Sequence, residues 1–236
     1  MEIGYGIGQR ASAWAVHAFT ASGAVLGFLA LFAAIDGNAA ICLGWLGLAL
    51  VVDGVDGTLA RKASVGDVLP QVDGATLDLV IDYLTYVVVP AVFLYRFGLF
   101  PQGFGLVGAA WVLLTSLYCF SRTDMKSGDA FFVGFPAIWN VVALHLWLLD
   151  WDPWINAAIA LVLGILTFTD VKFLHPFRVR TLMPLNIAAA VLWLVGSLAL
   201  VMARPERPGW ALGAWVAGLA WYVAVSAWRT LRGRAA

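Results

Sequence analysis

Charged residues are scarce in this chain. Only 12% of its 236 residues are Asp, Glu, Lys or Arg, whereas 62% are hydrophobic. Soluble domains carry about a quarter charged residues, so this composition excludes an ordinary soluble protein and indicates a membrane protein. The 14 basic and 14 acidic residues balance each other. This total says nothing about nucleic acid by itself, and we expect no nucleic-acid partner for a membrane protein of this kind.

Cysteine is also rare. Cys42 and Cys119 are the two cysteines, and they fall in separate apolar segments with no partner nearby in the sequence. We expect both to be small buried packing residues and not a disulfide or a metal-binding pair.

Long apolar runs fill most of the chain. About 20 mainly apolar residues cross a bilayer as a helix. Eight runs approach that length, and they cover residues 12–35, 39–60, 74–95, 104–120, 131–149, 154–171, 182–203 and 210–228. We therefore predict an all-α integral membrane protein with eight transmembrane helices, in a single transmembrane domain covering residues 1–236.

The basic residues are unevenly distributed between the two sides of the predicted membrane. Of the 14 Lys and Arg residues, eleven lie on one side, and only Arg96, Arg204 and Arg207 lie on the other. Because cytoplasmic loops carry an excess of Lys and Arg, both termini are predicted to be cytoplasmic. The loop between the second and third spans is then cytoplasmic too.

Four aspartates interrupt the apolar segments on either side of that loop. Asp53 and Asp56 lie towards the end of the second span, and Asp78 and Asp82 lie in the third. Helical periodicity places each pair on one face of its helix. An ionised Asp within a span costs about 2.5–3.5 kcal/mol, so four of them need compensation. Hard divalent cations such as Mg²⁺ and Mn²⁺ bind sets of oxygen ligands, and we predict that all four aspartates bind metal.

Small residues and one arginine accompany the aspartates. Gly57, Ala60 and Gly74 remove side-chain bulk where a large group would approach the backbone. Arg61 lies at the rim of the same face and suits a phosphate. Two metal ions could bridge a diphosphate and leave one Asp to deprotonate an attacking hydroxyl. The pattern predicts phosphoryl transfer on a lipid at the membrane surface.

The segment VVDGVDGTLA also resembles the D-x-D-G-T-L nucleophile loop of haloacid-dehalogenase-type phosphatases. Gly54 stands where that loop has its first Asp, and the segment is an apolar helix, not the end of a strand. We reject this alternative.

The whole aspartate pattern resembles the signature of the CDP-alcohol phosphotransferases, D-x2-D-G-x2-A-R followed after a gap by G-x3-D-x3-D. Every signature position is filled, by Asp53, Asp56, Gly57, Ala60, Arg61, Gly74, Asp78 and Asp82. The resemblance implies that Asp53, Asp56 and Asp78 are metal ligands and that Asp82 is the catalytic base, within reach of metal. It implies a CDP pocket lined by Asp56, Gly57, Ala60, Arg61, Gly74 and Asp78.

One departure from the family pattern points to a subgroup. The family usually leaves eight residues between the arginine and the second glycine and has six spans, whereas residues 62–73 make a longer gap here and eight spans are predicted. These features, with the stretch CFSRTDMKSGDAFFVGFPAIWN at 119–140, resemble bacterial members that transfer the phosphatidyl group of CDP-diacylglycerol to choline and release CMP. The catalytic motif would cover residues 53–82, in a six-helix core of about residues 12–171 or 12–203 with additional helices to residue 228.

The resemblance also carries expectations about cofactors and partners. It implies two Mn²⁺ or Mg²⁺ ions, CDP-diacylglycerol and choline as substrates, and membrane lipids as surroundings. It implies a multi-pass protein of the bacterial inner membrane with its active site facing the cytoplasm, and it leaves a homodimer open.

Choline is a quaternary ammonium, which aromatic faces bind well. The aromatic candidates in the cytoplasmic half are Tyr86 first, then Tyr83, Tyr118 and Trp139. For any one of them, ordinary helix packing is the competing interpretation.

Other polar residues have two interpretations each. Arg122 and Lys126 could hold a lipid phosphate or could simply follow the positive-inside rule. His17 and Asn140 lie within predicted spans, where we expect interhelical hydrogen bonds in preference to ligand contacts.

Two alternative functions are open at this point. A related enzyme could use another acceptor, such as serine, inositol or glycerol phosphate. A cation transporter could use the aspartates as an ion path, but transporter carboxylates usually lie near the bilayer midplane, and these flank one loop.

Overall fold

The computed structural model describes residues 5–233. Within that range the regular secondary structure is helical apart from one short ribbon, which confirms the predicted all-α class. The elements are α1 (Ile7–Ile35), α2 (Ala39–Lys62), α3 (Val65–Val68), α4 (Gly74–Asp82), a π-helical turn (Tyr83–Val88), α5 (Val89–Arg96), α6 (Gly105–Ser121), β1 (Phe132–Val133), α7 (Trp139–Leu149), α8 (Pro153–Leu166), β2 (Lys172–Phe173), α9 (Met183–Ala203) and α10 (Gly209–Gly233).

Many of these helices are long and apolar enough to cross a membrane. In the described range, five stretches meet both criteria, namely Ile7–Ile35, Ala39–Lys62, Gly74–Arg96, Met183–Ala203 and Gly209–Gly233. Helices α6, α7 and α8 are apolar but shorter, with 17, 11 and 14 residues. The protein is therefore a multi-pass membrane protein, and the count of eight spans stays a prediction.

Two of the predicted spans are shorter than expected. The run 131–149 becomes helical only at Trp139, and the run 154–171 ends as a helix at Leu166. Gly134 has a φ of 80°, and its N–H donates to the Val171 carbonyl at 2.8 Å. Because residues 132–134 pair with the chain after α8, this segment forms an antiparallel ribbon, with Phe132 opposite Phe173, instead of a helix.

The motif helices pack closely against α1. A Cβ at Gly23 would lie 2.8 Å from the Ile81 side chain, and one at Gly27 would lie 2.9 Å from Leu84. Since glycine lets helix backbones approach each other, these two positions bring α1 directly against α4 and the turn that follows it.

The third long helix changes its geometry midway. The π-helical turn Tyr83–Val88 separates α4 from α5, and Pro90 stands just after it. Proline has no N–H to donate to the carbonyl four residues earlier, which loosens the helix at Tyr86. Single π-turns occur frequently at functional sites.

Helices α9 and α10 form a hairpin with backbone-to-backbone contact. A Cβ at Gly196 would lie 2.7 Å from the Ala211 carbonyl oxygen, and one at Gly218 would lie 2.5 Å from that of Ala189. Each glycine therefore lies on the face of its helix that contacts the backbone of the other helix.

Both cysteines are free and buried, as predicted. Cys42 and Cys119 belong to the largest apolar cluster of the protein.

Candidate functional site

Three of the four predicted aspartates meet at one place. Carboxylate oxygens of Asp53, Asp78 and Asp82 lie within 4.8 Å of one another. Asp53 comes from α2, whereas Asp78 and Asp82 are one helical turn apart on the same face of α4. We call these three residues the acidic cluster.

A buried tyrosine orients one member of the acidic cluster. The Tyr86 hydroxyl donates to Asp53 Oδ2 at 2.6 Å, and Tyr86 itself is buried. The π-helical turn places this residue under Asp53, one turn beyond Asp82. Donors behind a ligating carboxylate fix its orientation and adjust its basicity. Tyr86 therefore occupies the position of a supporting residue beneath the carboxylates.

Asp56 stands apart from the acidic cluster. Its side chain is buried, with 6% of the residue exposed, and it faces the Thr20 hydroxyl of α1. The structure does not bring Asp56 into the three-carboxylate group, so its predicted role as a metal ligand stays a prediction.

The start of α4 is held by its own aspartate. Asp73 Oδ1 accepts from the backbone N–H groups of Ala75 and Thr76, and Oδ2 accepts from the Thr76 hydroxyl at 2.6 Å. The Thr76 hydroxyl and these N–H groups lower the pKa of Asp73. Such an N-cap fixes the first turn of a helix, and here that helix carries Asp78 and Asp82.

The predicted nucleotide-pocket residues line the end of α2 and the start of α4. A Cβ at Gly57 would lie 3.4 Å from Arg61 Nη1, and one at Gly74 would lie 3.3 Å from the His17 ring. Arg61 is exposed and donates to Thr58 at 3.1 Å. Ala60 packs partly buried against a small apolar cluster around Ala13.

Two cations from distant segments of the chain approach the carboxylates. The Lys126 ammonium is among the charges acting on Asp53, Asp78 and Asp82. Arg178, from the segment before α9, acts on Asp53, Asp56 and Asp78.

Arg122 is occupied by protein partners. Its Nε and Nη2 donate to the two oxygens of Asp124 at 2.8 and 2.9 Å, and its Nη1 donates to the carbonyls of Val133 and Thr167. These bonds tie the end of α6 to the ribbon and to α8. The phosphate contact, one of the two interpretations of Arg122 and Lys126, thus stays a prediction; of the two residues, Lys126 faces the carboxylates.

The four aromatic candidates have different surroundings, and the choline cage stays a prediction. Trp139 is 0% exposed and donates to Ser116 Oγ at 2.8 Å, so its ring is enclosed in the core. Tyr83 donates to the Leu113 carbonyl, and Tyr118 stacks on Phe168 at 4.5 Å. Tyr86 is the member that reaches the acidic cluster, and it does so through its hydroxyl. Periodicity could not distinguish packing aromatics from pocket aromatics.

The intramembrane polar residues also differ from expectation. Asn140 accepts from the N–H of its neighbour Val141 at 2.8 Å, within its own helix. His17 Nε2 is buried and has no hydrogen-bond partner among the described residues. The predicted interhelical hydrogen bonds are therefore wrong for both residues in this structure.

Arg178 is the site residue that the sequence did not single out. In the sequence it is one of the eleven basic residues predicted on the cytoplasmic side, and it lies far from the motif. No local pattern marks it, because a fold of the loop between α8 and α9 brings it to α2.

The chemistry of the acidic cluster suits a hard divalent cation. Three carboxylates offer only oxygen ligands. Mg²⁺ and Mn²⁺ prefer oxygen ligands, whereas softer metals favour sulfur or nitrogen ligands. Three anions packed within 4.8 Å repel one another, and a cation among them relieves that repulsion. The residues present therefore could hold such a metal ion.

Comparison with known proteins gives a consistent result. No protein-family model matches the chain. The chain is 53% identical to a phosphatidylcholine synthase of Pseudomonas aeruginosa, over 95% of this chain and 94% of that protein. It is 43% identical to the phosphatidylcholine synthase of Mesorhizobium japonicum over 82% of this chain and 73% of that protein. It is 42% identical to the phosphatidylcholine synthase of Agrobacterium fabrum over 87% of this chain and 85% of that protein.

Proposed function

The chain belongs to the phosphatidylcholine synthase family, and from this premise we propose how its acidic cluster carries out the reaction. The enzyme transfers the phosphatidyl group of CDP-diacylglycerol to choline and releases CMP. This assignment favours choline over serine, inositol or glycerol phosphate as the acceptor, and it removes the support for a cation transporter.

The acidic cluster binds a divalent metal together with the diphosphate of CDP-diacylglycerol. Asp53 and Asp78 would be the main ligands of the metal, and Asp56 would be a further one. The geometry of the three carboxylates, within 4.8 Å of one another, carries this proposal. When bound, Mg²⁺ or Mn²⁺ supplies positive charge for the diphosphate and for the departing CMP. Two ions would fit the paired phosphates.

Asp82 acts as the general base. Its carboxylate accepts the proton of the choline hydroxyl, and the oxygen then forms a bond to the phosphorus that carries the diacylglycerol group. The bond between that phosphorus and the CMP oxygen breaks, and CMP leaves with the electron pair. Gly57 and Gly74 leave room for the nucleotide beside Arg61, whose guanidinium suits a phosphate.

The active site faces the cytoplasm of a bacterium whose inner membrane holds the protein. This placement rests on the eleven Lys and Arg residues predicted at the end of the molecule that carries the motif. A fluorescent protein fused to the C-terminus should then fold and fluoresce in cells, while alkaline phosphatase fused there should be inactive.

The function is tested by CMP release. Purified protein given CDP-diacylglycerol and choline should release CMP and form phosphatidylcholine. Serine or inositol in place of choline should give no CMP above background. A chelator should stop the reaction, and added Mg²⁺ or Mn²⁺ should restore it. Release of CMP with serine but not with choline would overturn the acceptor assignment, and full activity in chelator would overturn the metal.

Asp82→Asn separates the base from the ligands. Because the amide cannot accept the proton, turnover should fall by about a hundredfold to ten-thousandfold, while metal-dependent binding of CDP-diacylglycerol is retained. Asp67→Asn, which changes an exposed carboxylate of the short helix α3, is the matched control and should keep full activity. Loss of both turnover and binding in Asp82→Asn would show that Asp82 is chiefly a ligand.

A further inference from the structure

The segment between α8 and α9 lies against the motif helix. We call residues 172–181 the arginine segment. A Cβ at Gly54 would lie 3.6 Å from the Phe177 ring, and one at Gly57 would lie 3.9 Å from Arg178 Nη2. Two glycines of α2, one before Asp56 and one after it, thus lie against two consecutive residues of the arginine segment.

The Arg178 guanidinium faces the aspartates without being neutralised by one of them. Its charge acts on Asp53, Asp56 and Asp78. The salt bridges of the described residues join Arg122 to Asp124, Arg204 to Asp150 and Arg229 to Asp129. Arg178 therefore keeps its donors available, and it is exposed beside the place where a nucleotide would approach Gly57.

The last helix holds the beginning of the arginine segment. The Lys172 N–H donates to Thr230 Oγ1 at 2.8 Å, and the Leu174 N–H donates to Ser226 Oγ at 3.0 Å. Both hydroxyls belong to α10. Strand β2 is thereby fastened along α10 just before the chain reaches Phe177 and Arg178.

A second link holds the segment on the other side of Arg178. Asn186 of α9 donates from Nδ2 to the carbonyls of Val179 and Thr181 at 3.3 and 3.0 Å. Trp221 of α10 donates from Nε1 to Asn186 Oδ1 at 3.0 Å, which fixes the direction of the amide. Arg178 lies between these two sets of contacts, so α9 and α10 determine its position.

We propose that Arg178 binds the diphosphate of CDP-diacylglycerol, and that α9 and α10 are the scaffold that positions it over α2. This inference rests on the proposed function and deepens it. A planar guanidinium makes two parallel hydrogen bonds to phosphate oxygens, and Arg178 stands next to Gly57 on the open side of the motif. The two additional C-terminal helices thereby have a role in substrate binding.

Arg178→Ala tests the contact. The KM for CDP-diacylglycerol should rise by about tenfold or more, since a charge-assisted hydrogen bond is lost, while the KM for choline stays within twofold. Arg178→Lys should recover part of the loss. Arg180→Ala is the matched control, because Arg180 is an exposed cation two residues away, and its KM values should be unchanged.

Binding of CDP measures the same contact without turnover. Calorimetry with CDP and Mg²⁺ or Mn²⁺ should show weaker binding to Arg178→Ala than to the wild type, by a similar factor. Unchanged KM and unchanged CDP affinity in Arg178→Ala would overturn the contact, as would an equal defect in Arg180→Ala. A wild type that binds CDP but releases no CMP with choline would overturn the proposed function instead and leave the binding result interpretable.

A double-mutant cycle tests the scaffold. Trp221→Phe removes the indole N–H and should raise the KM for CDP-diacylglycerol several-fold in the wild-type background. In the Arg178→Ala background, Trp221→Phe should raise the KM for CDP-diacylglycerol no further, because Trp221 acts through Arg178. Trp228→Phe, also on α10, is the control and should have no effect in either background. Additive effects of the two substitutions would show that Trp221 supports folding only, and would overturn the positioning role.

Discussion

At the residue scale, hydrogen bonds and burial distinguish the roles of residues of the same type. Tyr86 was the first candidate for holding choline, but its hydroxyl donates to Asp53 at 2.6 Å. The same residue type at Tyr83 donates to a backbone carbonyl of α6. Tyr86 thus contacts a carboxylate of the acidic cluster, and its contact with choline stays a prediction.

Tyr86→Phe tests this role, because it keeps the ring and removes the hydroxyl. Loss of a donor behind a ligating carboxylate should raise the Mg²⁺ or Mn²⁺ concentration needed for half-maximal activity by about 10–100-fold. The KM for choline should not change. A titration of activity against metal concentration measures the first quantity. If Tyr86→Phe leaves the metal requirement unchanged and Tyr86→Ala raises only the choline KM, the ring contacts choline after all.

His175 is a titratable residue of the arginine segment, stacked on Phe132 at 4.9 Å. Burial, followed by the nearby Lys126 and Arg178 cations, lowers the pKa of His175 from 6.5 to about 3. Between these two values the unfolded chain binds the proton and the folded chain does not, so stability falls as the pH falls through this range.

His175→Phe keeps the stacked ring and removes the titration. The detergent-solubilised variant should lose less thermal stability than the wild type when the pH is lowered from about 7 to 4. Melting temperatures across that range measure the difference. Parallel pH curves for the two proteins would show that folding does not lower the pKa of His175.

At the element scale, the ends of helices decide where the chemistry lies. Helix α4 is only nine residues long before its geometry changes to the π-helical turn. It presents Asp78 from its interior and Asp82 from its last position, and Tyr86 follows in that turn. The Asp73 cap therefore fixes the start of the helix that carries Asp78 and Asp82.

Asp73→Ala should loosen the first turn of α4. The variant should show faster amide hydrogen exchange in residues 75–78 and a higher metal requirement, because the three carboxylates are then less well aligned. Asp67→Ala removes an exposed carboxylate from the same loop and serves as the control. Equal exchange rates in the two variants would exclude a role for the cap in the site.

At the scale of the whole molecule, the arginines predicted on the side opposite the aspartate motif bind the ends of helices. Arg96 donates to the Ile35 carbonyl at the end of α1. Arg204 and Arg207 donate to the Trp147 and Leu148 carbonyls at the end of α7, at 2.6 and 2.9 Å. Cations at helix C-termini satisfy otherwise unpaired carbonyls and favour the helix dipole. The three arginines predicted to lie outside the cytoplasmic side thus donate hydrogen bonds to carbonyls at helix C-termini.

The α9–α10 hairpin joins the two C-terminal helices into a single unit, and one substitution tests its seam. Gly218→Val places side-chain atoms against the Ala189 carbonyl and Trp193. It should cost about 1–3 kcal/mol or more in stability, as overpacking does, and it should raise the KM for CDP-diacylglycerol because Arg178 moves with the hairpin. Gly213→Val is the control, since a Cβ there meets nothing within 4 Å. Melting temperature and lipid KM together check both effects, and a stable Gly218→Val with normal KM would contradict the coupling.

The membrane class, most helix positions, the aspartate motif and the family resemblance are determined by the sequence alone. These are properties of local composition and periodicity, because a bilayer requires apolar helices of a set length and a helix places residues four apart on one face. Helix lengths at 131–149 and 154–171 were wrong, since pairing between two distant segments replaced helical hydrogen bonds there.

Only the tertiary structure decided which polar side chains meet. It joined Tyr86 to Asp53, separated Asp56 from the other three aspartates, enclosed Trp139 in the core and occupied Arg122 with Asp124. It also brought Arg178 to α2 across more than a hundred residues of chain. Such contacts depend on how helices rotate and pack against one another, and no local pattern in the sequence records that geometry.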